Sequence, residues 1–232
     1  MSRRFVRCLA FVLIAAALLT SAPVLAGAQR ATDAEAASQS TTFLRVVTAD
    51  AASVDGLWSK TFAASHRTYR SPAAVLFSGP ITTACGAAQP GVGPFYCSQD
   101  DTVYLDAPVL SVIGRQYGAF VVAVAIAHEW GHHVQHELGI DKASVATSLD
   151  GHPSIEIELQ ADCLSGVWAG AANAAEELQP GDLDAAVEFL TTVAGDPAGT
   201  ATVSPDAQHG DGALRVWWFL RGYYQGLSTC LA

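Results

Sequence analysis

A single α+β domain, mostly helical, is what this 232-residue chain predicts. Two patterns point there. Short β-branched and aromatic runs between residues 72 and 105 are punctuated by Gly and Pro, and longer stretches with apolar residues at helical spacing follow them. Half of the residues are hydrophobic and only 15% are charged, so the chain can bury one core and is not a disordered segment.

The first 28 residues are expected to be an export signal. Arg3, Arg4 and Arg7 form a positive end, residues 8–19 an apolar run, and Ala26-Gly27-Ala28 a small-x-small site for cleavage near Ala28. The apolar run is shorter than the ~20 residues that span a bilayer, although an uncut N-terminal anchor is the alternative. Residues 29–42 are rich in Ala, Ser, Thr and Gln, lack an apolar period and read as a flexible linker. The domain proper is expected over 43–232.

Thr42 is positioned to cap a first helix carrying Phe43, Val47, Val54, Leu57, Trp58 and Phe62. Residues 72–77 read as a short strand and 83–94 as a Gly/Pro-rich loop. Phe95-Tyr96-Cys97 and Val103-Tyr104-Leu105 flank a polar turn and suggest a hairpin, with 103–106 as an edge strand that could take up an extended peptide. A long helix is expected over 118–138, apolar all round in its first half and stopped by Gly139. Further helices are expected from about 153 to 177, 182 to 194 and 214 to 224.

Twelve basic residues face 22 acidic ones, a net charge of −10, and three of the twelve lie in the export signal. Such a surface repels phosphate backbones and anionic lipid, which excludes nucleic-acid binding and leaves membrane association only to an uncut N-terminus. No pattern specifies an oligomer. Beyond the signal, four cysteines remain, Cys85, Cys97, Cys163 and Cys230. An even count in an exported chain suggests two disulfides. Of the three possible pairings, Cys85–Cys97 closes a short Gly/Pro loop, and Cys163–Cys230 would then tie the C-terminus to a helix. No CxxC appears, which argues against a cysteine zinc site.

The chemistry resides in His128-Glu129-Trp130-Gly131-His132, an HExxH motif. Residues four apart stack on one helix face, so both imidazoles can reach one metal ion. Glu129 lies about 100° around the helix and can take a proton from a water that zinc acidifies. Catalytic zinc takes three protein ligands. Glu158, 26 residues after His132 on the next predicted helix, is the expected third ligand, and Asp162, one turn on, is expected to accept a hydrogen bond from a ligand histidine. Small residues on that helix, Ala161, Gly166 and Gly170 among them, are expected to let it pack close to the HExxH helix. His133 and His136 are expected to miss the metal.

Several segments in this order carry a further resemblance: Cys85-Gly86, Gly93-Pro94-Phe95-Tyr96-Cys97, Val103-Tyr104-Leu105-Asp106, His128 to Gln135, Glu158-Leu159-Gln160-Ala161-Asp162-Cys163, Gly166-Val167-Trp168-Ala169, Pro180-Gly181-Asp182, and His209-Gly210 followed by Arg215 and Trp218-Phe219. Together they resemble the bacterial family of neutral zinc metallopeptidases from about Phe43 to Cys230. The resemblance implies a zincin-like fold, a zinc cofactor, His128, His132 and Glu158 as ligands and Glu129 as base. It also singles out His209 as a donor to the oxyanion, although Gly210-Asp211-Gly212 replaces the family's usual Gly-Thr-Ser there. The expected function is therefore an exported or envelope zinc peptidase acting on peptides or proteins. A non-catalytic zinc-binding module and an amidase acting on cell-wall peptide are the alternatives.

Overall fold

The computed structural model describes residues 22–140, 155–192 and 211–231. Contacts divide the chain into Met1–Thr42 and Phe43–Ala232. In the first unit the described residues, 22–42, are helical and form the start of α1 (Ala22–Ala64). The expected linker is thus helix, and Thr42 lies inside α1 instead of capping it. The reason is compositional: Ala, Gln and Glu favour helix whether or not an apolar stripe gives the helix something to pack on. The expected signal segment falls outside the described residues up to residue 21. No helix among the described residues is long and apolar enough to cross a membrane.

In the second unit, α1 contributes Val47, Ala51, Val54, Trp58 and Phe62 to the core at intervals of three or four residues. Three strands form a sheet in the order β1 (Ala73–Phe77), β5 (Thr102–Asp106), β4 (Phe95–Cys97). β1 runs parallel to β5, and β4 pairs with it antiparallel in the expected hairpin, with Tyr96 opposite Val103. β5 is therefore the central strand, buried at every position, and not the edge expected from its sequence. The outer strand on that side is β4. The loop expected over 83–94 holds a second small hairpin, β2 (Ile81–Thr83) with β3 (Gly86–Ala88).

A helix not expected from the sequence, α2 (Ala107–Tyr117), follows β5 directly. Asp106 caps it by accepting from the Val109 N–H at 3.2 Å, and Pro108 occupies its first turn, where no N–H is needed. The other oxygen of the same carboxylate accepts from the Gly91 and Gly93 N–H groups at 2.6 and 3.3 Å. Both glycines have φ near +90°, a region side-chain-bearing residues avoid, so Asp106 holds a loop only glycine builds easily.

Next come α3 (Ala119–Leu138), α4 (Ile155–Ala174), α5 (Asp182–Thr192) and α6 (Gly212–Gln225), then a short 3₁₀ turn (Leu227–Thr229). Gly139 ends α3 in the left-handed conformation at φ 75°, as its position suggested. The small residues divide their work differently from the expectation. Gly131 on α3 meets Ala161 on α4, where a Cβ on Gly131 would sit 3.0 Å from the Ala161 backbone. Gly166 and Gly170 face α6, where an added Cβ would overlap Phe219 O or Tyr223 O, and Gly222 of α6 returns the fit against Cys163 O. The central helix α4 is thus held tightly on two sides. Two disulfides complete the frame in the expected pairing, Cys85–Cys97 and Cys163–Cys230. Disulfides of this kind fit an oxidising, extracytoplasmic setting.

Candidate metal centre

α3 and α4 bring His128, His132 and Glu158 together, each offering one ligand atom within 4.8 Å of the others. His128 Nε2 lies 3.2 Å from His132 Nε2 and 3.2 Å from Glu158 Oε2, and His132 Nε2 lies 3.5 Å from the same oxygen. Ligand atoms about 2.0–2.1 Å from a tetrahedral zinc ion stand about 3.3 Å apart, so this triangle matches one face of such a site.

The tautomers support the fit. His128 Nδ1 meets Asp162 Oδ1 at 2.9 Å, and a carboxylate there can only accept, so the proton sits on Nδ1. His132 Nδ1 meets Gln135 Oε1 at 2.9 Å. Gln135 is itself oriented, because its amide nitrogen donates to Ile157 O at 2.7 Å and Gln160 Oε1 at 3.0 Å. Both imidazoles therefore turn an Nε2 lone pair toward the Glu158 oxygen. Three acceptors converging in a buried space repel unless a cation or protons lie between them.

Behind His128 the network continues. Arg215 on α6 grips Asp162 by two hydrogen bonds of 2.7 Å, from Nε to Oδ2 and from Nη2 to Oδ1. Asp162 is fully buried and Arg215 only 3% exposed. Burial works to raise Asp162, but the guanidinium and His128 outweigh it and hold its carboxyl below the ordinary range. Burial likewise opposes charge on His128, yet Asp162 and Glu158 push its pKa up to about 10 without a metal. His132 is raised in the same sense, against burial, chiefly by Glu158. The two imidazoles in turn overcome burial at Glu158 and hold it well below the usual carboxylate value.

Glu129 is buried beside His128, and burial raises its pKa, partly offset by both imidazoles and by the Tyr96 backbone N–H. His133 points away from the cluster, with Nδ1 at 2.8 Å from Asp101 Oδ1 and Nε2 at 2.9 Å from Arg70 O. It ties the β4–β5 turn to α3. His136 packs against the Tyr96 ring. His209 lies outside the described residues.

Residues 11–230 match the family described as "Putative neutral zinc metallopeptidase". The chain belongs to this family. Similar curated proteins include the uncharacterized protein YpfJ of Escherichia coli, 35% identical over 188 residues, 75% of this chain and 66% of YpfJ. The uncharacterized protein Rv2575 of Mycobacterium tuberculosis is 34% identical over 199 residues, 78% of this chain and 67% of that protein. The chain thus spans just under two thirds of the length of YpfJ. No solved structure matches it.

For this member of the neutral zinc metallopeptidase family, two site residues escaped the sequence reading. Gln135 stands three residues after His132, a spacing that shares a helix face, so the signal was available. Arg215 stood only among the residues that carry the resemblance, with no role assigned, because its partner lies 53 residues earlier in the chain.

Proposed function

We propose that the protein is an exported zinc-dependent peptidase. The observation that supports this reading most is the triangle of two imidazole nitrogens and one carboxylate oxygen with Glu129 beside it, in a chain of a zinc metallopeptidase family. His128, His132 and Glu158 would hold the ion. A bound zinc ion supplies a Lewis acid that polarises the scissile carbonyl and acidifies water. Asp162 and Gln135 keep both ligand imidazoles in the metal-binding tautomer. Glu129 accepts the proton of the attacking water and returns it to the leaving amine. His209 is assigned to donate to the oxyanion. The outer strand β4, whose Tyr96 N–H reaches Glu129, offers the backbone along which an extended peptide would lie. Residues 1–28 serve as the export signal in this reading, in keeping with the two disulfides.

Glu129→Gln tests the assignment, because it removes the base and keeps the ligands. The variant should bind zinc as wild type does, by elemental analysis, and lose peptide hydrolysis by about 100-fold or more in a library digestion. Equal cleavage by both proteins would remove Glu129 from its role. Full zinc loading of wild type with no turnover of any peptide would favour a non-catalytic zinc module.

A further inference from the structure

A pocket of about 560 Å³ opens beside the candidate metal centre, within the size range of ligand sites. His128 and Glu129 form part of its wall. The rest is largely apolar: Val109 and Ile113 from α2, Val124 from α3, Phe189 and Leu190 from α5. At its rim, Val92 and Val112 stay 58% and 50% exposed, which extends the apolar lining outward. The Gly91–Pro94 segment that Asp106 holds in place forms another wall.

Three of the ionisable groups in this pocket are matched to one another. Arg215 is committed to Asp162 through two hydrogen bonds, and Asp162 also meets His128. An acidic side chain entering here would meet Glu129 and a guanidinium already neutralised. A basic one would meet Arg215 and a carboxylate, Asp162, already paired, with Glu129 beside the two imidazoles the one acidic lining residue left to it. An apolar side chain loses nothing and sheds its hydration.

We propose that this pocket receives the substrate side chain adjacent to the scissile bond and selects large uncharged apolar residues, of the leucine, phenylalanine or methionine class. The proposal rests on the peptidase reading for the bond that is cut, but not for what the pocket binds. Burial of such a side chain in place of alanine predicts a preference of about 10- to 150-fold.

The test has two arms on the full chain. In the first, the zinc-loaded protein digests a mixed peptide library, and cleavage sites should show Leu, Phe or Met beside the cut, with Asp, Glu, Lys and Arg depleted. In the second, ligand-observed NMR compares N-acetyl amides of leucine, phenylalanine, alanine, aspartate and lysine on protein without added zinc. The leucine and phenylalanine amides should bind more tightly than the others, and Leu190→Trp, which fills the pocket, should abolish the difference. Val112→Asp, at a half-exposed position that does not burden folding, should weaken both apolar amides by about tenfold. Apolar selectivity in the amides without any cleavage would uphold the pocket and sink the peptidase reading. Cleavage with no apolar preference, and amides bound without order, would overturn the pocket and leave the peptidase reading standing.

Discussion

Replacing Asp162 by Asn separates two jobs that this carboxylate performs. It accepts from His128 Nδ1 at 2.9 Å and from Arg215 twice at 2.7 Å, in a fully buried position. Asn keeps one acceptor oxygen and places an NH₂ where the other was. In either orientation of the amide, a donor then faces a donor, on Arg215 or on His128. Arg215 also loses its counter-charge, and an unpaired buried charge costs about 3–5 kcal/mol, a large share of the ~5–15 kcal/mol that holds a typical domain together. Loss of the partner that orients a ligand histidine weakens metal binding about 10- to 100-fold, or about 1.4–2.7 kcal/mol. Urea unfolding of the zinc-free protein reads the first cost, and competition with a chromophoric chelator reads the second. The double variant Asp162→Asn with Arg215→Met tells them apart. Removing the stranded guanidinium should restore most of the stability, whereas the neutral amide oxygen, a weaker acceptor for His128 Nδ1–H than the carboxylate, should leave zinc affinity below wild type. If the double variant recovered both, or if the folded single variant bound zinc within about twofold of wild type, the argument that Asp162 orients His128 would fail.

Three further outcomes follow from the same geometry. His132→Ala removes one corner of the ligand triangle, and the purified variant should contain little zinc by atomic emission; wild-type content would strike His132 from the ligands. The pH response should reverse on metal loading. Charged His128 stabilises the zinc-free fold fully below about pH 6.5, its unfolded value, and that stability is lost as pH rises toward 10. Glu158, held low, contributes above the ordinary carboxyl pKa and is lost in acid. Zinc must displace the protons on both imidazoles, so the zinc-induced rise in Tm should grow with pH over the interval in which the zinc-free Tm falls; a pH-independent rise would refute this. Breaking Cys163–Cys230 by Cys163→Ser with Cys230→Ser opens a loop with a sequence separation of 67 and should cost about 4 kcal/mol in denaturant unfolding.

Much of this molecule was legible because its determinants are local. α3 announces itself by an apolar run longer than any strand and by a glycine stop. The HExxH spacing places two imidazoles on one face of that helix whatever surrounds it. Glu158 and Asp162 were found by the same period on α4. α2 was not legible, and for a physical reason: Val109, Val112, Ile113 and Gly114 all disfavour helix. What stabilises α2 lies elsewhere, in the Asp106 cap at one end and in Leu110 and Ile113 buried in the core. The pair Asp106 and Pro108 was the available signal. The assignment of β5 to an edge failed similarly, since whether a strand lies at the centre or at the side depends on β1, a partner 29 residues away in register.

Two of the small residues of α4 serve a contact other than the one expected of them. Gly166 and Gly170 on α4 draw in α6, and α6 is the helix that carries Arg215. Only with the backbones in contact at Gly166 and Gly222 can the guanidinium reach Asp162 at 2.7 Å, and only then is His128 locked from behind. The other candidate ligand, His132, is braced through Gln135 and Gln160, whose amide donates to Cys230 O at 2.8 Å. Cys230 is bonded to Cys163, the residue after Asp162. The two halves of the centre thus meet on one turn of α4, and the last helix and the C-terminal disulfide act on the candidate ligands through that turn. Gly222→Ala, on a helix that carries none of the three candidate ligands, is therefore expected to loosen zinc binding in a chelator competition, because its methyl would overlap Cys163 O and force α6, with Arg215, away from Asp162.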